Sequence, residues 1–196
     1  MKLILVRHGE TEWNIRNRVQ GQKGVPLNKK GKEQAKKVAL RLKNEQIDVI
    51  YCSDLKRAKQ TAAEIAKFHK VSLIYTKILR ERSFGRIEGI PIEDYRNMRE
   101  KTGLATYLYR PPGGENYVDM QKRVKKFLAM IKKKHSKQNV LVVSHGGVIR
   151  TIITVLMQKP LSTSHEIEQH NAAVNMIELK TGSSPKIHYL NSTEHL

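Results

Sequence analysis

Two stretches of the chain place a histidine between an apolar run and glycine. In LILVRHGE, Arg7 and His8 follow Leu3 to Val6 and precede Gly9; in VLVVSHGG, His145 precedes Gly146 and Gly147. A third apolar run leads into YCSDLKRAKQT and puts Arg57 just behind its end. Guanidinium groups offer fork-shaped donors that match phosphate oxygens, and an imidazole can donate to a phosphoryl group or attack it. One histidine after an apolar run is most often structural. Two such junctions, one with an adjacent arginine, together with a further arginine behind a third run, point to phosphoryl chemistry.

These residues need a scaffold that brings three chain segments to one place. The apolar runs 2–6, 48–53, 71–76 and 140–144 read as strands, buried on both faces where they lack alternation. Helical spacing joins Ala35, Val38, Ala39 and Leu42, then Ala58, Thr61, Ala62, Ile65 and Ala66, then Tyr117, Met120, Val124, Phe127, Leu128 and Ile131. A further helix is expected near 148–157, followed by strands at 173–179 and 186–191 across a turn-rich segment at 180–185. Strands alternating with helices predict a single-domain α/β fold over residues 1–196, a three-layer sandwich with a mostly parallel central sheet. Such sheets bind ligands beyond the carboxyl ends of their strands, where Arg7, His8 and His145 fall. Residues 83–114 break the rhythm with glycine turns, a short helical pattern from Ile92 to Arg99 and RPPGGE. They read as a helical and loop insertion covering the site, a substrate lid.

Composition narrows the class. The lone Cys52 leaves no internal disulfide, and the start of the chain lacks a signal-peptide core, which predicts a cytoplasmic protein with no membrane partner. No carboxylate cluster or metal-ligand spacing is present, so neither a metal nor another cofactor is expected. The net charge of +19, from 37 Lys plus Arg against 18 Asp plus Glu, permits a polyanionic partner. Most lysines nevertheless fall between core positions of helices, where a solvated face is the simpler reading. Aromatic residues do not interleave with the basic runs, which argues against nucleic acid.

The chain resembles the histidine phosphatase superfamily, in the branch of cofactor-dependent phosphoglycerate mutases and their phosphatase relatives. VRHGETEWN, VQGQKGVPLNKKG, YCSDLKRAKQTA, LRERSFGRIEG, PPGGEN and VVSHGGVIR are similar to that family's motifs and stand in its order. The resemblance implies that His8 is the nucleophile that takes the phosphoryl group. Arg7, Arg57 and His145 would surround the phosphoryl oxygens, and Glu81 would act as general acid, then base. Without the motif, Glu81 would read as a surface carboxylate pairing with Arg80 or Arg82. A carbonyl following His8 would fix its tautomer. Asn14 and Gln20 resemble auxiliary pocket residues, and Gly21 and Gly146 lie beside the same motifs. Gly24 departs from the acidic or amide residue common there, which bears on loop geometry. Glu115 is expected to cap or favour the start of the helix after PPGG.

The same resemblance suggests a phosphatase over a mutase, since mutases of the branch are usually longer and commonly carry Ser where this chain has Thr11. The substrate would be a small phosphorylated molecule of the sugar phosphate or bisphosphate class, handled by a monomer or homodimer. Arg86, Tyr95, Tyr107, Tyr109 and Arg110 in the insertion are candidates to grip it, with Lys77, Arg86 or Arg110 suited to a second anionic group. The alternatives are a phosphoglycerate mutase and a basic nucleic-acid-binding or regulatory protein on this scaffold. His69, His135, His165, His170, His188 and His195 match no catalytic motif and are expected to be surface or structural.

Overall fold

The computed structural model describes residues 1–180 and 182–196. In chain order the elements are β1 (Lys2–Arg7), α1 (Glu12–Ile15), α2 (Lys29–Leu42), β2 (Val49–Ser53), α3 (Lys56–Ala66), β3 (Ser72–Thr76), α4 (Ile92–Glu100), α5 (Tyr117–Lys134), β4 (Val140–Ser144), α6 (Gly146–Leu156), β5 (Val174–Glu178) and β6 (Lys186–Ser192). The turn expected at 180–185 includes Thr181, which lies outside the described residues.

The strands form one sheet in the order β3-β2-β4-β1-β5-β6. The four strands from β3 to β1 run parallel, and the β1–β5 and β5–β6 pairs are antiparallel. Alternate side chains leave opposite faces of a strand. On one face Ile4, Val6, Ile50, Cys52, Leu141 and Val143 pack on Val38, Leu42, Ala58, Ala62 and Ile65 of α2 and α3. On the other Leu3, Leu5, Tyr51, Val140 and Val142 pack on Phe127, Ile131, Val148 and Ile152 of α5 and α6. Each such aliphatic side chain contributes roughly 1.5–3 kcal/mol on burial, and both faces need covering, so β1, β2 and β4 are apolar at consecutive positions.

Register sets what meets at the top of the sheet. Arg7 of β1 stands opposite Ser144 of β4, and Cys52 of β2 opposite Val143. Because β4 lies between β1 and β2, the residues after Val6, Cys52 and Val143 emerge side by side.

Beside these ends, residues 83–114 build a small cluster of their own. Val19, Ile87, Tyr95 and Tyr109 are buried together, with Phe84, Ile90 and Ile92 packed on them. Backbone bonds from Val19 N to Ile90 O (2.9 Å), Gly89 N to Val19 O (2.8 Å) and Ile92 N to Asn17 O (2.8 Å) tie the segment to the loop after α1. The expectation for Glu115 is corrected here: Asn116 caps α5, its side chain accepting from Asp119 N while the Asp119 side chain accepts from Asn116 N. An amide at that position completes a reciprocal box that the preceding glutamate cannot. Glu115 turns instead to Arg123, one strut of the site described next.

Candidate active site

The His8 ring is buried, and its Nδ1–H donates to the Gly9 carbonyl at 2.7 Å. That bond assigns the proton to Nδ1 and leaves the Nε2 lone pair available. The peptide is held as firmly as the ring. His8 N donates to Ser144 O (3.0 Å), and the His8 carbonyl accepts from Ala172 N (3.1 Å) and Asn171 Nδ2 (3.1 Å). Glycine is required at position 9 because a β-carbon there would stand 2.4 Å from the Gly31 carbonyl oxygen at the start of α2.

Arg57 closes the second side. Its Nε donates to His145 Nδ1 (3.2 Å), Nη1 to the Lys23 carbonyl (2.9 Å) and Nη2 to the Gly21 carbonyl (2.8 Å). An arginine can only donate, so Nδ1 of His145 is the acceptor and its Nε2–H points to Ser53 Oγ at 2.8 Å. The two histidine rings lie 5.2 Å apart. Gly21, at φ +48°, takes the left-handed conformation that glycine accepts without strain, and a side chain there would collide with Glu88.

Arg7 donates through Nη1 to the Gln169 carbonyl, while its Nε is buried without a partner among the described residues. Two residues back, the Ile167 carbonyl accepts from Nε of Arg150, so one stretch of backbone tethers two guanidiniums. An orphaned buried donor beside a second cation is a site prepared for an anion. Burial holds both Arg7 and Arg57 down to about 10, with the Glu81 carboxylate acting in the opposite direction, so both remain cationic at neutral pH. Burial, then the charges of Arg57 and Arg7, holds His8 well below the ordinary histidine range. His145 is lowered in the same direction by burial and Arg57. The site pairs fixed cations with neutral imidazoles.

Glu81 reaches this group across α6. One carboxylate oxygen accepts from Gly147 N (3.0 Å) and the other from Arg82 N (2.8 Å). A β-carbon at Gly147 would lie 2.4 Å from the Glu81 carboxylate, so this glycine admits the carboxylate to the helix start. Arg80 is committed elsewhere, in a bidentate pair with Asp54 at 2.7 and 2.6 Å. Glu88 accepts from Gln22 N (2.8 Å) and Phe84 N (3.1 Å), which ties two loops together. Among the described residues, no group of three or more His, Cys, Asp or Glu is placed to hold a metal ion.

A family model described as the histidine phosphatase superfamily, branch 1, matches residues 3–193. The chain belongs to the histidine phosphatase superfamily. It is 36% identical to phosphoserine phosphatase 1 of Hydrogenobacter thermophilus, over 100% of this chain and 94% of that protein. It is likewise 36% identical to phosphoglycerate mutase-like protein 4 of Arabidopsis thaliana, over 100% of this chain and 86% of the relative. Among solved structures, it is similar to an Entamoeba histolytica phosphoserine phosphatase mutant in complex with phosphoserine, with 31% identity and a TM-score of 0.85 over 100% of this chain and 98% of that one. This histidine phosphatase therefore is an enzyme of the phosphatase class, on an α/β scaffold shared with those neighbours.

Within this phosphatase the sequence expectations fare unevenly. Arg7, His8, Arg57, His145 and Glu81 are brought together, with Gly146 over the Arg7 guanidinium and the Gly21 carbonyl on Arg57. Gln20 keeps a buried side-chain oxygen without a partner among the described residues, while Asn14 accepts from Thr11 N (3.0 Å) and from Asn171 Nδ2 (3.4 Å). Tyr95 and Arg110 are not in this group. Tyr95 is buried in the insertion with its hydroxyl taking a 2.7 Å bond from Arg82, and Arg110 pairs with Asp119 at 2.5 Å. Arg86 is exposed on a 3-10 turn, its backbone N on the Pro112 carbonyl. Ser53, Thr61, Asn171 and Arg123 also carry geometry: the first two lie inside the YCSDLKRAKQTA motif without an expected role at the site, and the last two lie in no motif. Thr61, read as a helix core position, accepts through its hydroxyl from Gly9 N at 3.1 Å.

Among the described residues no helix is long and apolar enough to cross a membrane.

Proposed function

We propose that the protein hydrolyses small phosphomonoesters, without a metal, through a phosphohistidine on His8. The observation that carries this reading is the Gly9 carbonyl on His8 Nδ1, which directs the proton away from Nε2 and leaves that nitrogen to face phosphorus. In the first step the Nε2–P bond forms as the ester P–O bond breaks, and Glu81 gives its proton to the departing alkoxide. Water then attacks phosphorus and the P–N bond breaks. Its proton returns to Glu81 and inorganic phosphate leaves.

Arg7 and Arg57 offset the charge on the phosphoryl oxygens, and one such preorganised donor is worth about 3 kcal/mol in other enzymes. His145 joins them by exchanging its Arg57 contact for a phosphoryl oxygen, which needs a proton on Nδ1. The incoming dianion favours that proton by opposing the burial and cationic neighbours that depress it in the unliganded site.

The insertion 83–114 is read as a lid that supplies the leaving-group pocket. Relatives named for phosphoserine and a neighbour solved with 3-phosphoglyceric acid favour a compact phosphorylated acid as substrate. The unpaired and buried Cys52 suits a reducing compartment, in keeping with a cytoplasmic enzyme.

A turnover panel in EDTA tests the proposal: O-phosphoserine, sugar phosphates, and 3-phosphoglycerate with and without 2,3-bisphosphoglycerate. Stoichiometric release of inorganic phosphate, insensitive to the chelator, is the expected result. Formation of 2-phosphoglycerate without phosphate release would assign the protein as a mutase, the reading that its mutase-like relatives favour.

A further inference from the structure

Glu81 is carried by residues 78–83, a stretch that belongs to no strand or long helix and so needs external support. Two residues at the far side of the insertion provide it. From α5, Arg123 donates Nη1 to the Ile78 carbonyl at 2.7 Å and Nη2 to the Glu81 carbonyl at 3.2 Å. The same guanidinium meets both carboxylate oxygens of Glu115, at 3.0 Å each. Glu115 in turn holds Ser83 from both sides: its Oε2 accepts from Ser83 N (3.0 Å), and its own N donates to Ser83 O (2.8 Å).

We infer that the Glu115–Arg123 pair is a positioning device for the Glu81 proton donor, linking the placement of that carboxyl group to the neck of the insertion. The pair touches no reacting atom. Its bonds end on the backbone at both ends of the 78–81 stretch and on Ser83, where the insertion begins, while Glu115 stands where the insertion ends. Both side chains are largely shielded, at 17% and 24% exposure, so solvent screens the pair less than a surface ion pair. The Glu81 carboxylate itself reaches Gly147 rather than the pair. A guanidinium fork suits this work because its three nitrogens point in fixed directions to four acceptor atoms on three residues, which an ammonium cannot reproduce. A displacement at the neck of the insertion would bear on Ser83 and Glu115 together and so on Glu81. The inference rests on Glu81 being the acid.

The test separates positioning from general support by its dependence on the leaving group. A phenolate departs without a proton, whereas an alkoxide needs one. Arg123→Gln should therefore lower kcat on O-phosphoserine by about 10- to 100-fold, the scale of a small misplacement of a catalytic group, with p-nitrophenyl phosphate turnover changed far less and KM little altered. Arg123→Lys should recover part of the loss, and Glu115→Gln, which keeps shape and one acceptor, should repeat the pattern even if Arg123→Gln folds poorly. Added to Glu81→Gln, Arg123→Gln should cost nothing further on O-phosphoserine, because no acid remains to misplace. Equal losses on both substrates in the Arg123 and Glu115 variants, or full additivity with Glu81→Gln, would overturn the inference. If Glu81→Gln itself showed no preference between the two substrates, the assignment of the acid would fail first, and the inference with it.

Discussion

His8 and His145 are buried as neutral rings, although each faces Arg57 and lies near Arg7. Burial and those cations push in one direction, so the folded protein refuses protons that the unfolded chain accepts below about pH 6.5, the ordinary histidine value. The unfolded state then binds more protons than the folded one, and stability rises with pH across that window. It is fully present above about pH 6.5 and declines as pH falls towards the depressed folded values. Urea midpoints measured from pH 7.5 to 5 should drop for the parent protein and drop less steeply for a His8→Gln, His145→Gln double variant. Identical slopes would show that these rings are not the groups refusing protons. The same neutrality leaves the Nε2 lone pair of His8 free in mildly acidic solution, whereas a free histidine would be largely protonated there.

At the scale of elements, the meeting of α6 with the Glu81 segment depends on one missing methyl group. With a β-carbon at Gly147 only 2.4 Å from the carboxylate, Gly147→Ala must displace either Glu81 or the start of the helix. Hydrolysis of O-phosphoserine should fall by about 100-fold or more, within the range of general acid catalysis, while p-nitrophenyl phosphate suffers less. A fully active Gly147→Ala enzyme would mean that the contact has no part in turnover. That a carboxylate 66 residues away in the chain fills the space beside the SHGG glycines could not be read from spacing. Strands and helices were readable because burial on both faces leaves unbroken apolar runs in β1, β2 and β4 and a 3.6-residue period in α2, α3 and α5. The insertion resisted reading for a physical reason. Its core is organised by Arg82, 2% exposed, with its guanidinium carbon 4.1 Å from the Phe84 ring centre and 4.6 Å from that of Tyr117. A buried arginine stacked on aromatics looks, in one dimension, like one more surface charge. Tyr95 and Tyr109, expected at the substrate, are instead buried in that core, Tyr95 with its ring near the same cation and Tyr109 with its backbone carbonyl accepting from it.

Over the whole molecule, the order of strands does the assembling. With β4 between β1 and β2, segments ending at residues 7, 53 and 144 emerge in one row, and distant parts of the chain meet at a single site. The motifs RHG, SDLKRA and SHGG marked the residues that meet in that row, whereas the supports from Thr61, Asn171, Glu115 and Arg123 needed the folded geometry to be seen. The charge of +19 belongs to another layer: residues 120–165 contain no acidic side chain, yet the lysines of α5 lie on its exposed side, away from the sheet. Among these features the nucleophile is the central claim. Rapid quenching of the enzyme during turnover of a 32P-labelled phosphomonoester, followed by peptide mapping, tests it most directly. The account predicts an acid-labile, base-stable phosphoryl group on His8, absent from His8→Ala, which should have lost turnover. Near-normal hydrolysis by His8→Ala, or label on any other residue, would contradict it.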